Sequence, residues 1–240
     1  MPTVTAVRRL VLVGAGGFAR ETTELVRALN RVDPTFDLVG YLDDDPALAG
    51  QVRTGLPVVG PLEWIHDHPD VAVTVCIGSP AAPAARRRVV ARLGLDPSRF
   101  ATLVHPRADL GTTVEVGAGS VIHAGCVITA DVRLGRHVEM MPGTVLTHDD
   151  VVGDGATFGA GVRVAGGVDI GADAYLGSGA CIRERIVIGA GSVVGMGAVV
   201  LDDVPPGEIW AGNPARFIRS AQPRTPIGAV DPKSVPKTNP

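Results

Sequence analysis

The sequence predicts a small α/β domain with a parallel sheet over residues 1–100, a parallel β-helix with a closing segment over 101–220, and a disordered tail over 221–240. Three observations predict it. Through the first hundred residues, apolar runs alternate with amphipathic stretches, which argues a parallel sheet flanked by helices. From Val104 to Val200 every sixth residue is aliphatic, methionine or phenylalanine, with no change of phase. Neither a 3.6-residue helix nor a two-residue alternation keeps that register, so the period marks a structural repeat. From Ala221 onward, prolines stand at 223, 226, 232, 236 and 240 with little to bury.

In chain order, the apolar run at 9–13 predicts a buried strand, and a helix follows with Leu25, Val26 and Leu29 on one face. The start of the chain, two arginines before an apolar run broken at once by Gly14, reads as that strand and not as a signal peptide. Residues 36–42 and 56–60 predict further strands. Pro61 opens a single short helix to Asp67, and 71–78 is another buried strand. A helix across 80–95 is stopped by Gly94 and Pro97. In the repeat, glycine follows the periodic residue at nine places, including 111, 153 and 177. Small or β-branched residues such as Ala108, Cys126, Ala156 and Ala198 stand four places after it. Short strands joined by glycine-permitted bends would point both sets into a narrow prism. Residues 204–220 read as an extended closing segment leading into a last helix or arm.

A net charge of −3 argues against a nucleic-acid or membrane-surface binder. No run approaches the ~20 apolar residues of a membrane span. The three cysteines, Cys76, Cys126 and Cys181, lack paired spacing, so neither a disulfide framework nor a metal site is expected, and the expected location is cytoplasmic.

Two places carry chemistry. Gly14-Ala15-Gly16-Gly17-Phe18-Ala19 lies between a strand and a helix, where glycines let backbone N–H groups approach a phosphate. Asp43 or Asp44, at the end of the next strand, is placed to accept from a ribose or base. This pattern suits a dinucleotide, a nucleotide-sugar diphosphate, or simply a tight turn with packing glycines. The second place is His148, at a bend of the repeat beside Asp149, with Asp150 in the inward slot. A carboxylate beside an imidazole suits a general base, and the alternative is a polar solvent-exposed turn. Gly166, eighteen residues on, is expected to leave open space beside His148. His105 and His123 read as a structural stack, His137 as a surface turn residue, and Cys126 as packing. His66 and His68 lack a third ligand.

The stretches VLVGAGGFARE, VGYLDDDP, VCIGSP, THDDVVGDG and AGNPAR, in that order over about 1–220, make the chain resemble bacterial sugar acetyltransferases of the NeuD/PglD type. The resemblance implies a Rossmann-like nucleotide-sugar domain, a left-handed coil, acetyl-CoA as co-substrate without a metal, and a homotrimer with coenzyme A between neighbouring helices. It implies a general base at His148 supported by Asp149, and sugar-nucleotide contacts at Gly16, Gly17, Phe18, Asp43, Asp44 and Gly78. Coenzyme A contacts are implied at Thr157, Ser178 and Met196. Phe18 and Thr157 depart from histidines that family members can carry there.

The expected activity is acetyl-CoA-dependent N-acetylation of a nucleotide-linked amino sugar, by direct transfer, since no nucleophile is positioned for an acyl-enzyme. An O-acetyltransferase acting on a sugar hydroxyl is the close variant. An NAD-dependent oxidoreductase and a non-catalytic nucleotide-sugar-binding scaffold are the readings from other classes.

Overall fold

A computed structural model describes residues 7–221: an α/β sheet domain followed by a left-handed parallel β-helix. The first domain runs β1 (Arg8–Val13), α1 (Gly17–Val32), β2 (Phe36–Leu42), β3 (Val52–Arg53), β4 (Leu56–Gly60), β5 (Ala72–Val75) and α2 (Ala85–Leu93). Its strand order is β3-β4-β2-β1-β5, parallel throughout except for β3 against β4. Leu10 to Val13 have no exposed surface, as an apolar run in a parallel sheet covered on both faces requires. The helix expected across 80–95 forms only from Ala85, because Pro80 and Pro83 withhold backbone donors. It ends on Gly94 in the left-handed region, with φ 57°.

The repeat winds into a three-sided prism. Each strand is two residues long and pairs with the strand eighteen residues on, as Val127–Ile128 does with Val145–Leu146. One turn therefore holds three hexads, and each hexad supplies one side. The first side runs from Leu103–Val104 through Glu139–Met140, Thr157–Phe158 and Tyr175–Leu176 to Val193–Val194. The second contains Val145–Leu146 and the third Val151–Val152. Both expected inward sets fill the axis: Ile122, Met140, Phe158, Cys126, Val132 and Ala174 have no exposed surface.

The bends differ from the expectation. The glycines that directly follow the periodic residue do not turn the chain. They lie where successive coils touch: a Cβ on Gly153 would come 2.5 Å from the Ala172 nitrogen. Positive φ falls two residues later, at every sixth position from Gly119 to Gly197. Asp131, His137, Asp149, Asp173 and Arg185 hold that conformation without being glycine.

The closing segment is also different. Glu208–Gly212 extends the first side by pairing with Val193–Val194, then reverses at Asn213-Pro214 into the antiparallel strand Ala215–Ser220. No last helix forms, because a strand here satisfies the backbone groups that the end of the first side would otherwise expose. The tail expected to be disordered lies, from residue 222 on, outside the described residues. No helix among the described residues is long and apolar enough to cross a membrane.

The sheet domain rests on the first side. Leu103 and Val121 of the coil share one buried cluster with Leu10, Ala19 and Leu25. Two glycine variants separate the two roles found in the coil. Gly153→Ala is expected to cost about 1–3 kcal/mol by forcing backbones apart. Gly143→Asn, at φ 73° with open space around its Cβ, costs about 1 kcal/mol or less, since asparagine tolerates this region. Equal losses in urea unfolding would contradict the assignment.

Candidate active site

The glycine-rich turn owes its shape to Asp43. Its Oδ2 accepts the Ala15 N–H at 2.8 Å and its Oδ1 the Asp45 N–H at 3.0 Å. Gly14, at φ 94°, lets β1 pass close to the Cys76 carbonyl. Asp44 accepts the Leu62 N–H at 3.1 Å and pairs with Arg92 at 2.5 Å. Both carboxylates are therefore engaged by the protein, and neither lines the cavity described next. Around Gly16 the space is open.

That cavity, of about 400 Å³, lies between the sheet domain and the first side of the prism. Gly17, Phe18 and Gly78 line it from the sheet domain, and Glu139, Thr157, Tyr175 and Ser178 from the coil. Three sugar-nucleotide candidates thus meet two coenzyme A candidates. Met196, 80% exposed, stands outside the cavity. It lies on the coil after Ser178, to whose carbonyl the neighbouring Gly197 N–H bonds at 2.9 Å. Ser178 and Met196 therefore sit on one corner, one strand spacing of ~5 Å apart.

His148 stands elsewhere, at the corner between the second and third sides, with its side chain 65% exposed. Its Nδ1 lies 2.7 Å from Asp149 Oδ2. An ionised carboxylate only accepts, so Nδ1 carries the proton and Nε2 presents a lone pair. The space at Gly166 is not left open: the imidazole itself covers it, and a Cβ there would collide with the ring. The Gly167 N–H bonds the His148 carbonyl at 2.8 Å. Within one chain, the whole second side separates His148 from the cavity.

Other expected roles sort as follows. His137 is buried, not a surface residue, because the sheet domain covers it. Phe100 meets its ring edge-on at 4.8 Å, and burial, with Arg86 nearby, pushes it down to about 4. His123 is buried 5.7 Å from Phe18, and burial pushes it down to about 4 as well. His105 accepts the Arg107 N–H at 3.0 Å. Cys126 is buried in the prism. His68 stacks on Trp64, and no metal-holding cluster occurs among the described residues.

Arg86 and Glu139 were missed. Arg86 is 1% exposed and donates to the Ile77 carbonyl at 3.0 Å, the His137 carbonyl at 2.5 Å and Thr157 Oγ1 at 2.6 Å. It also pairs with Glu139 at 2.5 Å. Burial pushes the Glu139 carboxyl up to about 8, with the guanidinium opposing that rise. Gly78 closes over the pair: a Cβ there would lie 2.7 Å from Glu139 Oε2. Arg86 belongs to the run Arg86-Arg87-Arg88, which reads as a solvated face, and Glu139 occupies an outward hexad position like the exposed Glu115. Neither carries a sequence signal.

Residues 9–93 match the family of the PglD N-terminal domain. The acetyltransferase domain of PglB from Neisseria gonorrhoeae, solved with acetyl coenzyme A, is 30% identical with a TM-score of 0.78, covering 88% of this chain and 100% of that one. PerB from Caulobacter crescentus, solved with CoA and GDP-perosamine, is 29% identical with a TM-score of 0.76, covering 89% and 98%. WeeI from Acinetobacter baumannii is 30% identical with a TM-score of 0.76, covering 88% and 100%. No curated protein matches the chain.

Removing one partner of the buried pair is expected to be costly. Arg86→Met should lower stability by about 3–5 kcal/mol, and pairing it with Glu139→Met should recover much of that loss. Additive losses in denaturant unfolding would show that the two residues act independently.

Proposed function

We propose that this chain, which belongs to the NeuD/PglD-type sugar acetyltransferases, N-acetylates a nucleotide-linked amino sugar by direct transfer with His148 as general base. It is an acetyl-CoA-dependent acetyltransferase. The observation that carries the finer reading is the cavity in which Gly17, Phe18 and Gly78 of the sheet domain face Thr157 and Ser178 of the coil. An acceptor held by the sheet domain and a donor laid along the coil would meet there.

The residues present fit a coenzyme A arm. Ser178 and Met196 mark successive coils along one corner, and Thr157, whose hydroxyl accepts from Arg86, lines the cavity with Ser178. His148 Nε2 takes the proton as the acceptor nitrogen bonds to the thioester carbonyl carbon, while the Asp149 carboxylate holds the imidazolium. Backbone N–H groups of the coil steady the oxyanion. The carbon–sulfur bond then breaks, the imidazolium returns its proton to the departing thiolate, and an amide and free coenzyme A remain.

Because a whole prism side separates His148 from the cavity in one chain, the reaction needs a second copy to bring its own His148 corner to that cavity. A homotrimer, with one site at each interface, closes this arrangement. PerB, solved with GDP-perosamine, supports an amine on a nucleotide-linked sugar as the acceptor.

His148→Ala should lower kcat by about 10²–10⁴-fold while the fold and oligomeric mass stay native; near-wild-type turnover would remove the base from this position. Gly17→Leu, whose new side chain meets little but the end of Arg20, should block the cavity. Mixed oligomers of the two inactive variants should regain activity if each site is shared between chains. Mixtures that stay inactive would refute the shared site.

A further inference from the structure

The inward column behind the His148 bend takes one residue from each coil: Val114, Val132, Asp150, Val168, Ile186 and Val204. Five are aliphatic. The sixth is a carboxylic acid with no exposed surface. Asp150 Oδ1 accepts the Val168 N–H at 2.9 Å, and its Oδ2 has no hydrogen-bond partner among the described residues.

A neutral group does that first job elsewhere in the coil. Ser120 Oγ, in the equivalent slot of another corner, accepts the Val138 N–H at 3.0 Å with the same eighteen-residue offset. The negative charge of Asp150 is therefore surplus to holding the coil together. Enclosing a half-partnered carboxylate among valines also costs stability. What the charge does have beside it is the reactive bend. Asp150 directly follows Asp149, whose Oδ2 lies 2.7 Å from His148 Nδ1. The charged groups acting on Asp150 are His148 and Asp149, and the coils above and below present Val132 and Val168. Both flanks of the bend are fastened to the next coil, at the Gly167 and Val168 nitrogens.

We infer that Asp150 is a positioning residue for the acyl-transfer base. From inside the prism it locks the His148 bend to the next coil and sets a second carboxylate behind the imidazole. This rests on the reading of His148 as the base. The imidazolium that forms as the acceptor loses its proton is then held by two carboxylates. Burial pushes Asp150 up to about 6, opposed by the Val168 N–H and by the His148 charge. The group is ionised at neutral pH and loses its charge as pH falls through about 6. An unfolded aspartate ionises near 3.8. The folded chain therefore loses stability as pH rises from that value to about 6, and a serine at this position should not show the loss.

Two variants of the full chain test the inference. In Asp150→Ser, which copies the Ser120 arrangement, kcat should fall about tenfold while both KM values hold and the melting midpoint at neutral pH rises or stays level. The acid limb of kcat/KM should move to lower pH, since less negative charge favours the neutral ring. In His148→Gln, the carboxyl carbon of Asp150, followed by NMR, should titrate above its wild-type midpoint, because an opposing positive charge is gone. An Asp150→Ser enzyme with wild-type kcat and pH profile, or an Asp150 midpoint unmoved in His148→Gln, overturns the inference. Failure of the base reading itself looks different: His148→Ala would then stay active.

Discussion

One guanidinium determines how the two halves of the molecule meet. Arg86 comes from the first turn of α2 and spends its donors on the Ile77 carbonyl, the His137 carbonyl, Thr157 Oγ1 and Glu139. These partners lie on the loop after β5, on a corner of the coil and on its first side. A buried ion pair of this sort is weak evidence for net stability, because taking both charges out of water offsets most of their attraction. What it does impose is register. A sheet domain shifted along the prism by one coil would leave both charges buried and unmatched, a far larger penalty than any loss of apolar contact. Arg87, bonded to Asp173 at the rim, repeats the constraint one turn further along. The cavity lies against this docking, with both Gly78 and Glu139 in its lining.

Much of the coil was legible because its physics is local and repeated. The periodic positions, the small inward residues and the eighteen-residue turn all follow from one spacing rule, and burial at Phe158 and Cys126 agrees with it. The bends were misplaced because Gly153 and Gly177 draw attention by their identity, whereas the left-handed positions include Asp131, Asp149 and Arg185, which do not. A residue that tolerates strain leaves a fainter mark than one chosen for lack of a side chain. The docked surface was invisible for a different reason. Glu139 and Thr157 sit on outward hexad positions that look solvated until a second domain lands on them. His137 was misread through the same omission.

The glycine-rich turn takes its shape from the protein's own side chains. Asp43, expected to accept from a ribose or base, ties the turn to the end of β2 through the Ala15 N–H. Gly17 and Phe18 at the head of α1 face the cavity, while Asp44 bonds Leu62 and Arg92 on the far side of β2. The motif shapes the wall of a cavity, and the coil supplies the opposite wall. Unfavourable features concentrate at the His148 bend, where a left-handed aspartate and a buried carboxylate stand side by side.

The three-sided winding makes the length of the chain act as an angle. Each hexad advances the path by one side, so inserting or deleting six residues between the docking surface and the His148 bend would turn that bend by ~120° about the prism axis. Changes of eighteen would leave its direction alone and move it along the axis by one strand spacing, ~5 Å. A change that is not a multiple of six would expel the inward residues into solvent. The separation between the cavity and the His148 corner is therefore quantised: drift in loop length cannot tune it gradually, and substitutions at fixed positions are the route left for refining it.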